Sequence, residues 1–168
     1  MRIVAGEYSS RKIEAPKGDN TRPTLDRVRE AVFSSLGTYF EGGLFLDLYA
    51  GSGANGLEAI SRGFDKAIFV DKAKEAITCI NNNIDNLGVK DKSLVLKMND
   101  MNALKLFVEE EYQFDLVYLD PPYKKEHNNE VLMYLIDNNL LKETARVVIE
   151  SDIDDVFIEE YKGLNKYK

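Results

Sequence analysis

The stretch from Leu44 to Gly56 constrains the fold most. An apolar segment, Leu44 to Leu48, broken only by Asp47, runs into the closely spaced glycines Gly51, Gly53 and Gly56, and Leu57 to Arg62 then begins a helix. Strand, glycine turn and helix in immediate succession are the opening unit of an α/β sheet, and the spacing Gly51-x-Gly53-x-x-Gly56 matches the dinucleotide fingerprint. Glycines let backbone approach a ligand closely, and the N-terminus of the following helix favours a negative group. Asp71 ends the next apolar segment, Ala67 to Val70, where a carboxylate would accept from ribose hydroxyls. The pattern alone points to a nucleoside-bearing cofactor. A tight strand-to-helix turn would use the same glycines.

The rest of the chain repeats this alternation. After a basic N-terminal arm the periodicity predicts a helix over 24–36, then strands near 44–49, 67–71, 93–97, 114–120 and 145–150 with helical segments between them. Such an order implies a mostly parallel sheet with helices on both faces, a three-layer α/β sandwich. At 168 residues the chain has the size of one domain and buries about 70% of its extended surface. We therefore expect residues 1–168 to form a single domain, with 1–23 as its arm. Within the first helix, Thr24 is the expected cap, Asp26 lies in the first turn, and Val28, Val32 and Leu36 form the expected buried stripe.

A second segment carries the chemistry. Phe114 to Leu119, apolar except for Asp115, reads as a strand buried on both faces, and it runs into Asp120-Pro121-Pro122-Tyr123. Two prolines donate no backbone hydrogen bonds and hold φ near −65°, so the chain leaves the sheet stiffly with its carbonyls free as acceptors. The Asp120 carboxylate and the Pro121 carbonyl then match the two N–H donors of an exocyclic amine. The Tyr123 ring offers a face for a nucleobase, a contact of about 1 to 3 kcal/mol. A structural Pro-Pro turn with a buried tyrosine is the plainer alternative. Because both this turn and the glycine turn follow strands, both should open at the carboxyl edge of the sheet, where open α/β sheets bind ligands.

Other features exclude more than they assign. No apolar run approaches the roughly 18 to 20 residues of a membrane span and no apolar signal core opens the chain, so a cytoplasmic protein is expected. Cys79, the single cysteine, lies among Ile77, Ile80 and Ile84 as a core thiol, and one cysteine excludes an internal disulfide. His127, the single histidine, reads as a solvated loop residue, and no metal site is expected. The net charge of −7 argues against coating bare nucleic acid through counterion release alone. Residues 1–40 nevertheless carry a net +2 against −9 for the remainder, which marks the arm as the nucleic-acid-facing part. Arg2, Arg11, Lys12 and Lys17, with Tyr8 among them, are candidate phosphate contacts, and a solvated tail of mixed charge is the alternative.

Taken together, the glycine loop preceded by Asp47 and the later Asp-Pro-Pro-Tyr turn resemble the S-adenosylmethionine-dependent amino-methyltransferases. The likeness extends through Arg2 to Gly6, Arg11 to Ile13, Thr21 to Glu30, Phe45 to Gly53 and Gly56 to Gly63. Over nearly its whole length the chain resembles the RsmD-type family, bacterial methyltransferases of guanine N2 in 16S ribosomal RNA. The resemblance implies a class I, Rossmann-like methyltransferase fold and S-adenosylmethionine as cofactor. It implies 16S rRNA within an assembled small subunit as substrate, which an acidic enzyme can recognise by shape. It places Asp47, Gly51, Gly53 and Asp71 at the cofactor, Arg22 or Thr24 near the methionine carboxylate, and Asp100 with Met101 near the adenine amine. Asp100 is equally placed to cap a helix starting near Met101. Alternatives are N-methylation of adenine or cytosine in RNA or DNA, since the turn serves any exocyclic amine, and more distantly an NAD-type nucleotide-binding protein. The family ends in an antiparallel hairpin with a Tyr-Gly-containing strand. Here the acidic run Asp152 to Glu160 is followed only by Gly163 to Lys168, so an incomplete hairpin is expected.

Overall fold

The computed structural model describes residues 1–16, 23–120, 125–150, 160–161 and 164–165; at 23–24, 125–126 and the last two pairs it describes backbone alone. The elements follow in the order α1 (Pro23–Leu36), β1 (Leu44–Asp47), α2 (Ala54–Ser61), β2 (Lys66–Asp71), α3 (Lys74–Leu87), β3 (Ser93–Lys97), α4 (Asp100–Glu109), β4 (Phe114–Leu119), α5 (Lys125–Asp137) and β5 (Leu141–Ile149). Five parallel strands form one sheet in the order β3-β2-β1-β4-β5. A separate antiparallel pair, β6 (Glu160–Tyr161) with β7 (Leu164–Asn165), is the hairpin present among the described residues.

Strand alternation divides the core in two. Successive side chains point to opposite faces, so Phe45, Phe69, Leu116 and Tyr118 pack with α2 and α3 residues such as Leu57 and Ile80. Leu46, Ile68, Val70, Val117 and Leu119 pack on the other face with Leu104 and Phe107 of α4 and Val131 and Leu135 of α5. The result is the expected three-layer sandwich. Gly56, inside α2, makes the tight layer contact possible, because a Cβ there would lie 2.3 Å from the Phe69 ring.

Strand order also locates the functional edge. From β1 the chain builds outward through β2 to β3, then returns to place β4 on the opposite side of β1. The β1/β4 boundary is therefore a topological switch point, and a crevice opens at its carboxyl ends. Register sets Asp47 beside Phe69 of β2 and Tyr118 of β4, so the two strands stop together at that crevice.

The described start of the arm, residues 1–13, is docked on the body, held by a buried charge network. Glu58 of α2 is fully buried and binds Arg29 of α1 at 3.0 Å and Arg62 at 2.7 Å. It also accepts the Val4 and Ala5 amides at 2.9 and 3.1 Å. Arg29 reaches the Arg2 carbonyl and Asp26, and the Arg62 guanidinium lies 5.2 Å from the centre of the Phe33 ring. A solvated tail is thus excluded for residues 1–13.

Several boundaries differ from expectation. Helix α1 starts at Pro23, where a missing N–H costs nothing, and Thr24 falls inside the helix instead of capping it. Its buried stripe is Arg29 and Phe33, flanked by the half-buried Asp26, Val32 and Leu36, whereas Val28 is 48% exposed. The apolar stripe was misplaced because an arginine occupies a core position. Helix α2 starts at Ala54, before Leu57, and β5 starts at Leu141, before 145. His127 belongs to α5 and is not a loop residue; its ring contacts Asp100. Cys79 is buried on α3 as expected.

Candidate active site

The glycine turn is shaped by two carboxylates. Gly53 caps α2 in the left-handed region at φ +84°, a conformation that L side chains rarely adopt. Asp71, at the end of β2, accepts the Gly51 amide through one oxygen at 2.9 Å and the Ala73 amide through the other at 2.9 Å. Asp47 lies beneath the loop with 2% exposure, its carboxyl accepting the Gly56 amide at 3.3 Å. Burial pushes its pKa up to about 8, against the opposing Gly56 hydrogen bond and with help from the negative charges of Asp120, Asp71 and Glu150. The expected cofactor residues therefore divide. Gly51, Gly53 and Asp71 shape the open edge, while Asp47 supports it from inside.

Beside the loop lies an open pocket lined by Leu48, Tyr49, Asp71, Lys72, Met98, Asn99 and Asp100. Leu48 and Met98 give it apolar walls, and the Asp71 and Asp100 carboxylates belong to its lining. Asp100 does not cap its helix: the Asn99 side chain does, accepting the Asn102 amide at 2.8 Å. The Asp100 carboxylate instead accepts the Met101 amide at 2.7 Å, the Tyr49 hydroxyl at 2.8 Å and His127 at 2.5 Å. Burial opposes its charge, but these hydrogen bonds outweigh burial and hold its pKa below the usual carboxylate value. Met101 is half-buried against the α4/α5 core and is outside the pocket lining. Leu48, Tyr49 and Met98 went unmarked in the sequence because a pocket wall of apolar residues reads as ordinary core.

Asp120 follows β4 directly, across the switch point from Asp47. It lies beside Glu150, which follows β5 and was not singled out from the sequence. The pKa of Asp120 is raised to about 7 by desolvation, by a hydrogen bond with the Glu150 carboxyl and by the Glu150 charge. The Tyr118 hydroxyl donates to Glu150 at 2.6 Å. Pro121, Pro122 and Tyr123 lie outside the described residues, as do Lys17, Thr21, Arg22 and the Thr24 side chain.

The arm presents Arg2, Arg11 and Lys12 on its exposed side. Arg2 donates to the Ser10 carbonyl at 2.8 Å and Arg11 to the Asn86 carbonyl at 2.7 Å, while Arg2 and Lys12 form an isolated backbone bridge. Among the described residues, no group of three or more histidines, cysteines or carboxylates is placed to hold a metal, and no helix is long and apolar enough to cross a membrane.

Comparison with known proteins adds to this geometry. The family model described as conserved hypothetical protein 95 matches residues 1–168. A Bacillus subtilis protein named provisionally as an rRNA methyltransferase is 38% identical over 90% of this chain and 83% of its own. The Haemophilus influenzae protein named ribosomal RNA small subunit methyltransferase D is 32% identical over 94% of this chain and 82% of its own. A solved Streptococcus pyogenes structure, described as a conserved hypothetical protein, superposes with a TM-score of 0.78 at 38% identity, covering 83% of this chain and 86% of its own.

Proposed function

Because the chain belongs to the RsmD-type family of methyltransferases, we propose that it methylates the exocyclic N2 amine of a guanine in 16S rRNA, with S-adenosylmethionine as donor. The observation that carries this reading is the placement of Asp120 at the β1/β4 switch point, on the same carboxyl edge of the parallel sheet as the pocket that follows β1, β2 and β3. That is where a cofactor and an amine would meet. The relatives named for small-subunit rRNA supply the substrate class.

The pocket residues fit the cofactor. Leu48 and Met98 line the pocket as apolar walls; in this reading Asp71 would accept from the ribose, Asp100 from the adenine amine, and the α2 N-terminus would favour the carboxylate. When bound, the cofactor supplies an already activated methyl group, so the protein's task is alignment. The guanine N2 lone pair is delocalised into its ring. In this reading Asp120 and the Pro121 carbonyl accept the two amine hydrogens, favouring the pyramidal nitrogen that develops in the transition state. Tyr123 stacks on the base, which must leave any helical stack to arrive. Residues 1–23, with Arg2, Arg11 and Lys12, face RNA phosphates. The acidic body favours an assembled small subunit over naked RNA as substrate.

The test is transfer of labelled methyl to small subunits isolated from cells lacking the modification, followed by digestion to nucleosides. Label in N2-methylguanosine of 16S rRNA is the expected result. Label in an adenine or cytosine would overturn the base assignment, and no transfer to subunits or free RNA would overturn the function.

A further inference from the structure

Strands β4 and β5 run parallel with Leu119 opposite Ile149, and the Glu150 amide donates to the Leu119 carbonyl at 2.9 Å. Asp120 and Glu150 are thus the first residues beyond two adjacent strand ends. The Asp120 carboxyl is held protonated to higher pH by desolvation first and then by hydrogen bonding to, and the charge of, the neighbouring Glu150. Ionised carboxylates only accept, so a hydrogen bond between the two needs a proton on one of them. The Glu150 end is fixed independently. Tyr118 is 1% exposed, two residues before Asp120 on the same face of β4, and its hydroxyl donates to Glu150 at 2.6 Å. Asp47 at the end of β1, and Asp71 beyond it on β2, face the group from the other side of the crevice, and both are acidic. A buried phenol aimed at one carboxyl of a pair is more than packing requires.

We infer that Glu150 is a positioning residue acting through Asp120: the proton shared by the two carboxyls, with the Glu150 end held by Tyr118, orients Asp120 toward the amine and governs when it can take up the amine's proton. This deepens the methyltransferase reading and rests on it. At low pH Asp120 carries the shared proton and donates it to Glu150, leaving its second oxygen to accept an amine hydrogen. Once Asp120 is ionised it can also act as base. The surplus N–H bond of the methylated amine then breaks, its electron pair stays on nitrogen, and an O–H bond forms on Asp120. The Asp120–Glu150 pair gains one proton and one unit of positive charge, and returns the proton to water. Without Glu150, Asp120 would lose both its rotamer and the neighbouring charge that keeps it protonated to higher pH.

The test compares wild type with Glu150→Gln, Glu150→Asp and Tyr118→Phe by two readouts. One is the titration of the Asp120 carboxyl carbon followed by NMR in the free protein, and the other is kcat against pH. In wild type both midpoints should fall near neutrality. In Glu150→Gln both should move down together by about one pH unit or more, with affinity for S-adenosylhomocysteine unchanged within about twofold. Glu150→Asp should recover part of the shift, and Tyr118→Phe should give an intermediate one. An unmoved midpoint in folded Glu150→Gln would overturn the inference. If that variant does not fold, wild-type Asp120 titrating in the ordinary carboxylate range would overturn it alone. Wild type that transfers no methyl group at any pH would instead sink the functional reading, and this inference with it.

Discussion

The Asn83 side chain donates to the Ser52 carbonyl at 2.8 Å and so ties α3 to the middle of the glycine turn. The same amide donates to the Glu14 carbonyl at 2.9 Å and accepts the Glu14 amide at 2.9 Å. One buried side chain therefore fastens both the basic arm and the loop that shapes the cofactor edge.

Replacing Asn83 with alanine should take hydrogen bonds from three part-buried backbone groups, the Glu14 carbonyl keeping the Cys79 thiol at 3.2 Å, at a cost of about 1 to 3 kcal/mol. The loop should loosen as well, because Ser52 loses its anchor. Calorimetric titration with S-adenosylhomocysteine should show affinity falling roughly tenfold, the equivalent of about 1.4 kcal/mol. Unchanged affinity in a folded variant would mean that α2 holds the turn without α3.

Glu58 should be the most sensitive charged position for stability. Its carboxylate neutralises Arg29 and Arg62, each nearly inaccessible, and holds two arm amides. Glu58→Gln takes from the buried Arg62 guanidinium its carboxylate partner and leaves Arg29 with Asp26, a change that typically costs about 3 to 5 kcal/mol. Denaturant midpoints measure this directly. A loss under about 1 kcal/mol would mean that water reaches the arginines once the carboxylate is gone.

This network also shows what the sequence made legible. The glycine spacing, the strand–helix alternation and the Asp-Pro-Pro-Tyr turn depend on neighbours in the chain, and they gave the sheet, its carboxyl edge and the position of Asp120. Arg29, Asn83 and Glu150 draw their roles from partners 29 to 69 residues away: Arg29 from Glu58, Asn83 from Glu14 and Ser52, Glu150 from Tyr118. A charged or amide side chain has no periodicity to mark it when its partner is that distant. His127 was misread for the same reason, since Asp100, 27 residues earlier, is what draws its ring inward.

Asp47 gives a pH dependence whose sign can be fixed. Its carboxyl has a folded pKa of about 8 against the 3.8 of an ordinary aspartate, first because it is buried. Between these values the folded protein binds more protons than the unfolded chain, so this group's contribution makes stability fall as pH rises through that window and level off above it. Asp47→Asn keeps a carbonyl oxygen for the Gly56 amide and removes the titration. Its stability relative to wild type should therefore improve with increasing pH. Thermal denaturation of both proteins from pH 5 to pH 9 would show this, and parallel curves would place the Asp47 proton elsewhere.

Asp100 carries the last prediction, through a count of its acceptor sites. One oxygen already accepts from Tyr49 and His127, which fills it, whereas among the described residues the other accepts only from the Met101 amide. A carboxylate has about four lone-pair sites, so one remains at the pocket edge. If that site takes the adenine amine, wild type should bind S-adenosylhomocysteine more tightly than its inosine analogue, which lacks the amine, by roughly tenfold for a hydrogen bond to a charged group. Asp100→Asn lowers this group's charge and disturbs its contacts with Tyr49 and His127, so the preference should shrink to about twofold or less. Equal binding of the two ligands by wild type would assign Asp100 a purely structural part, joining α4 to α5 through His127.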